Sequence, residues 1–332
     1  VMVALVVVGG TLKAGLGLLQ ELIEISLSMA VAVVPEGLPA VITVTLALGT
    51  QRMVKRHALI RKLPAVETLG SVNVICSDKT GTLTQNKMVV QEVETLEGNY
   101  QVTGTGYEPV GEFICSEAKS SIRCSRFGAL EALLFTGVLC NDAHLSQEGN
   151  DWNIMGDPTE GSLLALAGKA ELQQSVLEKQ YARVGEFPFT SERKRMSTIC
   201  QGSQTGDRWP SWQSQGDHQY LLFTKGSPEL ILERCQYYQQ GKRVHPLTEE
   251  QKEQVLRGNN GMAKRALRVL GLAYKPLEQI PDATEAEEAE QGLVWLGLVG
   301  MMDAPRPEVK AAVAKCRAAG IRPIMITGDH QL

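Results

Sequence analysis

Val72-Asn73-Val74-Ile75-Cys76-Ser77 runs directly into Asp78-Lys79-Thr80-Gly81-Thr82-Leu83-Thr84, and the join between these halves decides how the rest of the chain is read. The first half is short and β-branched, the pattern of a buried parallel strand. The second puts a carboxylate at the strand's C-terminal tip, where open α/β sheets bind ligands. Lys79 adds positive charge, and Thr80-Gly81-Thr82 can turn backbone and hydroxyl donors toward an oxyanion. An oxygen nucleophile with cationic neighbours suits phosphoryl transfer through an aspartyl phosphate.

Downstream, Leu293 to Met301 and Ile321 to Ile326 are further strand-like runs, separated by a helical pattern from Pro307 to Ala319 that Gly320 stops. Strand, helix, strand predicts a right-handed crossover. Residues 91–292 between them behave as a separate inserted domain. It contains a strand over Tyr220 to Thr224 and helices over Phe127 to Leu139 and Ser162 to Leu177. Gly202 to Gln219, with Trp209-Pro210-Ser211-Trp212, reads as a polar hairpin loop. Pro281 to Gly292 reads as a solvated acidic linker without a function. Two stretches of the insert have binding character. Lys225-Gly226-Ser227-Pro228-Glu229 follows a strand and opens a helix, so glycine permits close approach and lysine offers charge. In Phe187-Pro188-Phe189-Thr190-Ser191-Glu192-Arg193-Lys194-Arg195-Met196-Ser197 an aromatic ring adjoins a basic turn, a pairing that serves a stacked base and its phosphates.

Upstream, Val1 to Val8 is apolar, residues 9–19 read as a loop, and residues 20–50 are apolar apart from a few polar residues and three glutamates. We expect residues 1–8 to be the end of one membrane helix and 20–50 to be another, because a span needs about 20 residues. The chain then reads as a fragment of a longer protein. Pro35-Glu36-Gly37-Leu38-Pro39 interrupts the second apolar run, and its prolines strip partners from the carbonyls around Val31 to Pro35. An unwound membrane helix with a central carboxylate is a cation site on physical grounds. Arg52, Lys55, Arg56, Arg61 and Lys62 follow at once, which by the positive-inside rule puts residues after about 50 in the cytoplasm. Residues 51–90 would form a stalk and the first part of the strand-tip domain, and 293–332 its second part. With 332 residues, the chain is long enough for more than one domain. A formal charge of -4 implies no nucleic-acid partner, and seven singly spaced cysteines fit reduced thiols.

Asp78 to Thr84 matches the phosphorylation sequence of P-type ATPases at all seven positions, and the chain resembles that family throughout. Residues 28–88 most resemble the calcium pumps of type IIA. The resemblance implies a haloacid-dehalogenase-like Rossmann phosphorylation domain of α/β class, with an inserted α+β nucleotide-binding domain and a preceding transmembrane helix. It implies that Asp78 is phosphorylated, aided by Lys79 and Thr80, that the Thr80 carbonyl and Asp78 ligate Mg²⁺, and that Thr327, Gly328 and Asp329 contact phosphate. ATP would stack its adenine on Phe189, with Glu160 nearby. Further contacts would come from Lys194, Lys225, Gly226 and Arg268, and Asp303 would lie near the ribose and hinge, although Ala304 stands where a proline is more usual. Val31, Ala32 and Val34 would offer main-chain oxygens, and Glu36 its carboxylate, to a transported cation, most simply Ca²⁺; these four groups are part of a site that other helices of the pump complete. Such a chain has ATP, the lipid bilayer, the cation and the remainder of the pump as partners. Other readings are a pump for Na⁺/K⁺ or Mn²⁺, a membrane-anchored ATP-binding module without turnover, and a soluble phosphatase. Thr80 disfavours the last, because soluble relatives carry a second acid two places after the nucleophile.

Overall fold

A computed structural model of the chain describes residues 2–14, 19–33, 35, 37–116, 120–122, 128–149, 151–203, 208–210, 212–213 and 218–326. They divide into two compact units, one of residues 1–76 and 313–324, the other built mainly from Ser77–Ala312. Residues 77–90, expected to group with the stalk, therefore cluster with the larger unit, and the expected boundary at 90/91 falls inside a continuous strand, Thr84–Thr95.

The smaller unit begins with helices Met2–Ala14 and Leu19–Val33. The loop expected from residue 9 is helical up to Ala14, which corrects that reading. Gly10 is the reason such a helix can pack: a Cβ there would lie 2.6 Å from Cδ1 of Leu22 on the neighbouring helix. Small residues at such contacts let helix backbones approach. The expected break in the second apolar run is present, with Leu19–Val33 ending and Leu38–Val54 restarting with proline in its first turn. The carbonyl of Pro35 is not orphaned, as the sequence reading had it, because the Leu38 amide donates to it at 3.0 Å. Val31 and Ala32 lie in the last turn before the break, whereas Val34 and Glu36 lie outside the described residues. Gln20–Val54 is long and apolar enough to cross a membrane by length and composition. Its threonines satisfy themselves within the helix, since Thr43, Thr45 and Thr50 donate to carbonyls four residues back at 2.8, 2.8 and 2.9 Å. The five basic residues that follow are exposed. Strand Val74–Asp78 pairs with Arg322–Ile326 in a two-stranded sheet, and the Arg322 amide donates to Asn73 at 2.8 Å. With a single paired neighbour it is not the buried strand expected, and Val74 is 41% exposed.

The larger unit is organised by an eleven-stranded sheet among the described residues. Its main path runs Ser120–Ile122, Phe113–Cys115, Gly98–Val102, Thr84–Thr95, Leu293–Pro305, Arg268–Leu277, Tyr220–Gly226, Arg195–Gln201 and Arg183–Phe187. Cys235–Gln240 adds in parallel to Leu293–Pro305 and pairs with Arg243–Pro246 on its other side. The predicted crossover is thus corrected. Leu293–Pro305 lies antiparallel to both Thr84–Thr95 and Arg268–Leu277, while Arg322–Ile326 belongs to the other sheet. Both faces of the large sheet are covered, and the period of two sorts its side chains: Leu221 and Phe223 join one core cluster, Leu222 the other. Helix Gly128–Leu139, apolar on nearly every side apart from Glu131, fills the first cluster. In Leu293–Pro305, Trp295 belongs to one cluster and Leu296 to the other, and Gly297 has no room for a side chain, since a Cβ would sit 2.4 Å from the carbonyl of Glu94.

Three further expectations are corrected here. The helix expected over Ser162 to Leu177 is two helices, Pro158–Lys169 and Gln174–Gln180. Between them Glu171 adopts φ +63°, and the Leu172 amide returns to Ala167 at 3.1 Å, a left-handed stop that no glycine announces. The Trp209 to Trp212 segment is not a polar loop tip. Trp209 stacks on Tyr181 at 5.1 Å, and Trp212, 1% exposed, meets Tyr274 edge-on at 5.2 Å. Trp212→Ala should therefore destabilise the larger unit by about 3–5 kcal/mol in urea denaturation. Trp212→Phe, which removes an indole N–H that lacks a partner among the described residues, should lose less than half of that. Lastly, the acidic run from Pro281 to Gly292 is not a free linker, because Glu290 is fully buried.

Candidate active site

Strand Val74–Asp78 ends with Asp78 exposed and extended at φ −65°, ψ 142°, and a tight turn follows over Lys79–Leu83. Gly81 takes φ +75°, a conformation that favours glycine. The turn is fixed from the end of Leu293–Pro305. The Thr84 hydroxyl accepts from the Gly81 amide at 3.2 Å and donates to Oδ2 of Asp303 at 2.5 Å, while Oδ1 of Asp303 accepts the Lys87 amide at 3.1 Å. Arg306 donates through Nη2 to the Gly81 carbonyl at 2.9 Å and through Nε to that of Thr82 at 3.1 Å. Asp303 is thus a clamp between the strand pair, and both its oxygens are engaged by this chain. Arg306 was missed as a positioning group, although it lies only three residues after Asp303.

Lys79 and Thr80 line a cleft of about 740 Å³ with Asn86, Asp157, Arg268 and Asp303. A second pocket of about 380 Å³ is lined by Glu160, Phe189, Lys225, Gly226 and Arg268, together with Asp142 and Asp157. Lys194 borders a shallower one with Phe189, Gly226 and Arg268. Arg268, at the start of its strand, lines all three.

The floor of the second pocket is an ion pair. Lys225 ends a central strand and is buried, and its Nζ donates to Oε1 of Glu160 at 2.6 Å and to the Cys140 carbonyl. Glu160 stands in the first turn of Pro158–Lys169, where the dipole favours a carboxylate, and its Oε2 accepts the Asp142 amide at 3.1 Å. Asp157 caps that helix by accepting the Thr159 amide at 2.7 Å. Burial pushes the Asp157 carboxyl up, but its bonds from the Thr159 side chain and the Thr159 and Glu160 amides, with Arg268 nearby, outweigh burial and hold it below the usual range. Asp157 was not singled out from the sequence; its helix-cap position before Pro158 was the available signal. At the pocket mouth Phe189 is 59% exposed, an aromatic face open to a stacked base. Gly226 is obligatory here, since a Cβ would lie 2.4 Å from the carbonyl of Lys194.

The structure thus brings Glu160, Phe189, Lys225, Gly226 and Arg268 together, and Lys79, Thr80, Arg268 and Asp303 around the adjoining cleft. Asp78 immediately precedes the cleft-lining pair. Thr327, Gly328 and Asp329 lie outside the described residues, and among those described no cluster of three His, Cys, Asp or Glu side chains could hold a metal.

A protein-family model described as P-type ATPase, cytoplasmic domain N, matches residues 129–308. The chain is 45% identical over 315 residues to a cation-transporting ATPase, pma1, of Synechocystis, covering 93% of this chain and 33% of that protein. It is 40% identical to a calcium-transporting ATPase of Bacillus subtilis, covering 91% and 32%, and 42% identical to the human calcium-transporting ATPase type 2C member 1, covering 94% and 31%. The chain therefore spans about a third of the length of these relatives.

Proposed function

This chain belongs to the P-type ATPase family, and on that footing we propose that it is the phosphate-accepting and nucleotide-binding part of an ATP-driven cation pump. Asp78 is the acceptor, on a haloacid-dehalogenase-like phosphorylation domain to which the strand pair Val74–Asp78 and Arg322–Ile326 belongs, and the unit built on the eleven-stranded sheet binds ATP. The observation that carries this reading is Arg268, which lines both the pocket of Phe189 and Lys225 and the cleft of Lys79 and Thr80. A nucleotide with its base at Phe189 has a cationic side chain along its phosphates and a path toward the turn after Asp78. Phosphoryl transfer is mostly positioning and charge neutralisation, which Lys79, Lys194 and Arg268 supply.

A Mg²⁺ ion fits the donors at the strand tip, because the exposed Asp78 carboxylate and the Thr80 carbonyl are hard oxygen ligands of the type it takes. Bound there, it would offset phosphate charge. Residues 20–50 cross the bilayer, the basic cluster keeps later residues in the cytoplasm, and Val31, Ala32, Val34 and Glu36 contribute to the site of the transported ion. Several relatives are named as calcium-transporting ATPases, and we assign Ca²⁺ as the cargo. In membranes carrying the whole pump, micromolar Ca²⁺ should raise phosphorylation from γ-labelled ATP at least tenfold over chelator. Glu36→Gln should shift that dependence to higher Ca²⁺ by tenfold or more. Phosphorylation that ignores Ca²⁺ but follows Na⁺ or Mn²⁺ would reassign the ion.

A further inference from the structure

The turn that carries Phe189 and Lys194 is held in a costly shape. Lys194 has φ +48°, outside the comfortable range for a side-chain-bearing residue. Its amide donates to the Thr190 carbonyl at 2.7 Å, and its own carbonyl accepts the Ser227 amide at 2.9 Å. Such a turn persists only if its surroundings over-determine it, and the surroundings here converge on one carboxylate. Arg193 donates to the Pro188 carbonyl at 3.1 Å and, at its other end, to Oε1 of Glu290. Arg195 donates through Nη1 to the Arg193 carbonyl at 3.1 Å and through Nε to Oε2 of Glu290 at 2.6 Å.

Glu290 also reaches the other wall of the pocket. The Ser197 hydroxyl donates to its Oε1 at 2.6 Å and lies 2.8 Å from the hydroxyl of Thr224, the residue before Lys225. Glu290 is 0% exposed, Arg195 2% and Arg193 18%, so a buried carboxylate is paired with one buried and one largely buried guanidinium through planar, directional bonds. The neighbouring Glu287 takes the outer side of Arg195 but is 63% exposed, where pairing is screened.

We propose that Glu290 is a positioning residue for nucleotide binding: it sets the Phe189–Lys194 turn against the Lys225–Gly226 strand end. This rests on the reading that the pocket binds nucleotide. The test uses the 332-residue chain in detergent, with hydrogen exchange measured without ligand and affinity measured with trinitrophenyl-ATP. Glu290→Gln should speed exchange of the Lys194 and Ser227 amides at least tenfold while leaving the hairpin His144–Glu148 with Asp151–Met155 unchanged, and should weaken binding about tenfold. Arg193→Lys leaves the Arg195 pair intact and guards against a misfolded first variant; it should loosen the same amides and weaken binding threefold or more. Glu287→Gln should change neither readout more than twofold. Unchanged exchange and affinity in both Glu290→Gln and Arg193→Lys, or exchange that rises uniformly over the whole sheet, overturns the proposal. Local loosening in a chain whose wild type binds no nucleotide overturns the nucleotide reading instead, so the two failures are distinguishable.

Discussion

Asp78→Asn will abolish the acid-stable, hydroxylamine-labile adduct formed from γ-labelled ATP in the whole pump, lowering its rate of formation by at least about a thousandfold, or roughly 4 kcal/mol of barrier. The carboxamide nearly matches the carboxylate in size but offers no anionic oxygen to attack phosphorus. Asp78 is exposed at the end of a two-stranded ladder, so the substitution should leave denaturation within about 0.5 kcal/mol of wild type. Loss of the adduct with intact folding isolates the chemistry. A variant that still forms the adduct would move the acceptor to another residue.

Lys225→Met carries the next largest effect, and its first readout is stability. The lysine and Glu160 side chains are 8% and 15% exposed and bonded at 2.6 Å, so removing one partner strands a carboxylate in the pocket floor and strips the Cys140 carbonyl of a donor. Breaking such a pair costs about 3–5 kcal/mol. Trinitrophenyl-ATP binding should weaken more than tenfold as well. Lys225→Met combined with Glu160→Leu should regain most of the lost stability without regaining affinity, because an apolar pair removes the stranded charge. A single variant within 1 kcal/mol of wild type in urea would mean that the ion pair does not organise the pocket.

Much of this architecture is written locally, and what is not is written in partners. The strand before Asp78, the strand at Tyr220 and the buried helix at Gly128–Leu139 declare themselves through β-branching or a predominantly apolar run. Periodicity gives an element its type and not its neighbour, so Leu293–Pro305 was assigned to the wrong sheet. The stop at Glu171 has no mark in its residue type, because the left-handed turn there is imposed by packing on either side. Trp209 and Trp212 sit in a stretch whose Gly, Ser and Gln composition reads as loop, while the two indoles are buried. The grouping of Phe189 with Lys225 and Gly226 was legible from an aromatic next to a basic turn and a glycine after a strand. Glu290 was not, because an acidic run looks solvated throughout; the clue lay a hundred residues earlier, in arginines dense enough to demand a counter-charge.

The ladder between Leu293–Pro305 and Thr84–Thr95 slips register twice, between Gly300 and Met301 and between Asp303 and Pro305. Bulges interrupt the hydrogen bonds and sharpen local twist, so the ladder is weakest at these two points. On one side of these slips lies the end of the strand that begins three residues after Glu290; on the other, Asp303 and Arg306 grip the turn. A tighter cross-strand pair at Met302 and Val89, between the two slips, would stiffen the stretch that joins the sheet to the turn after Asp78.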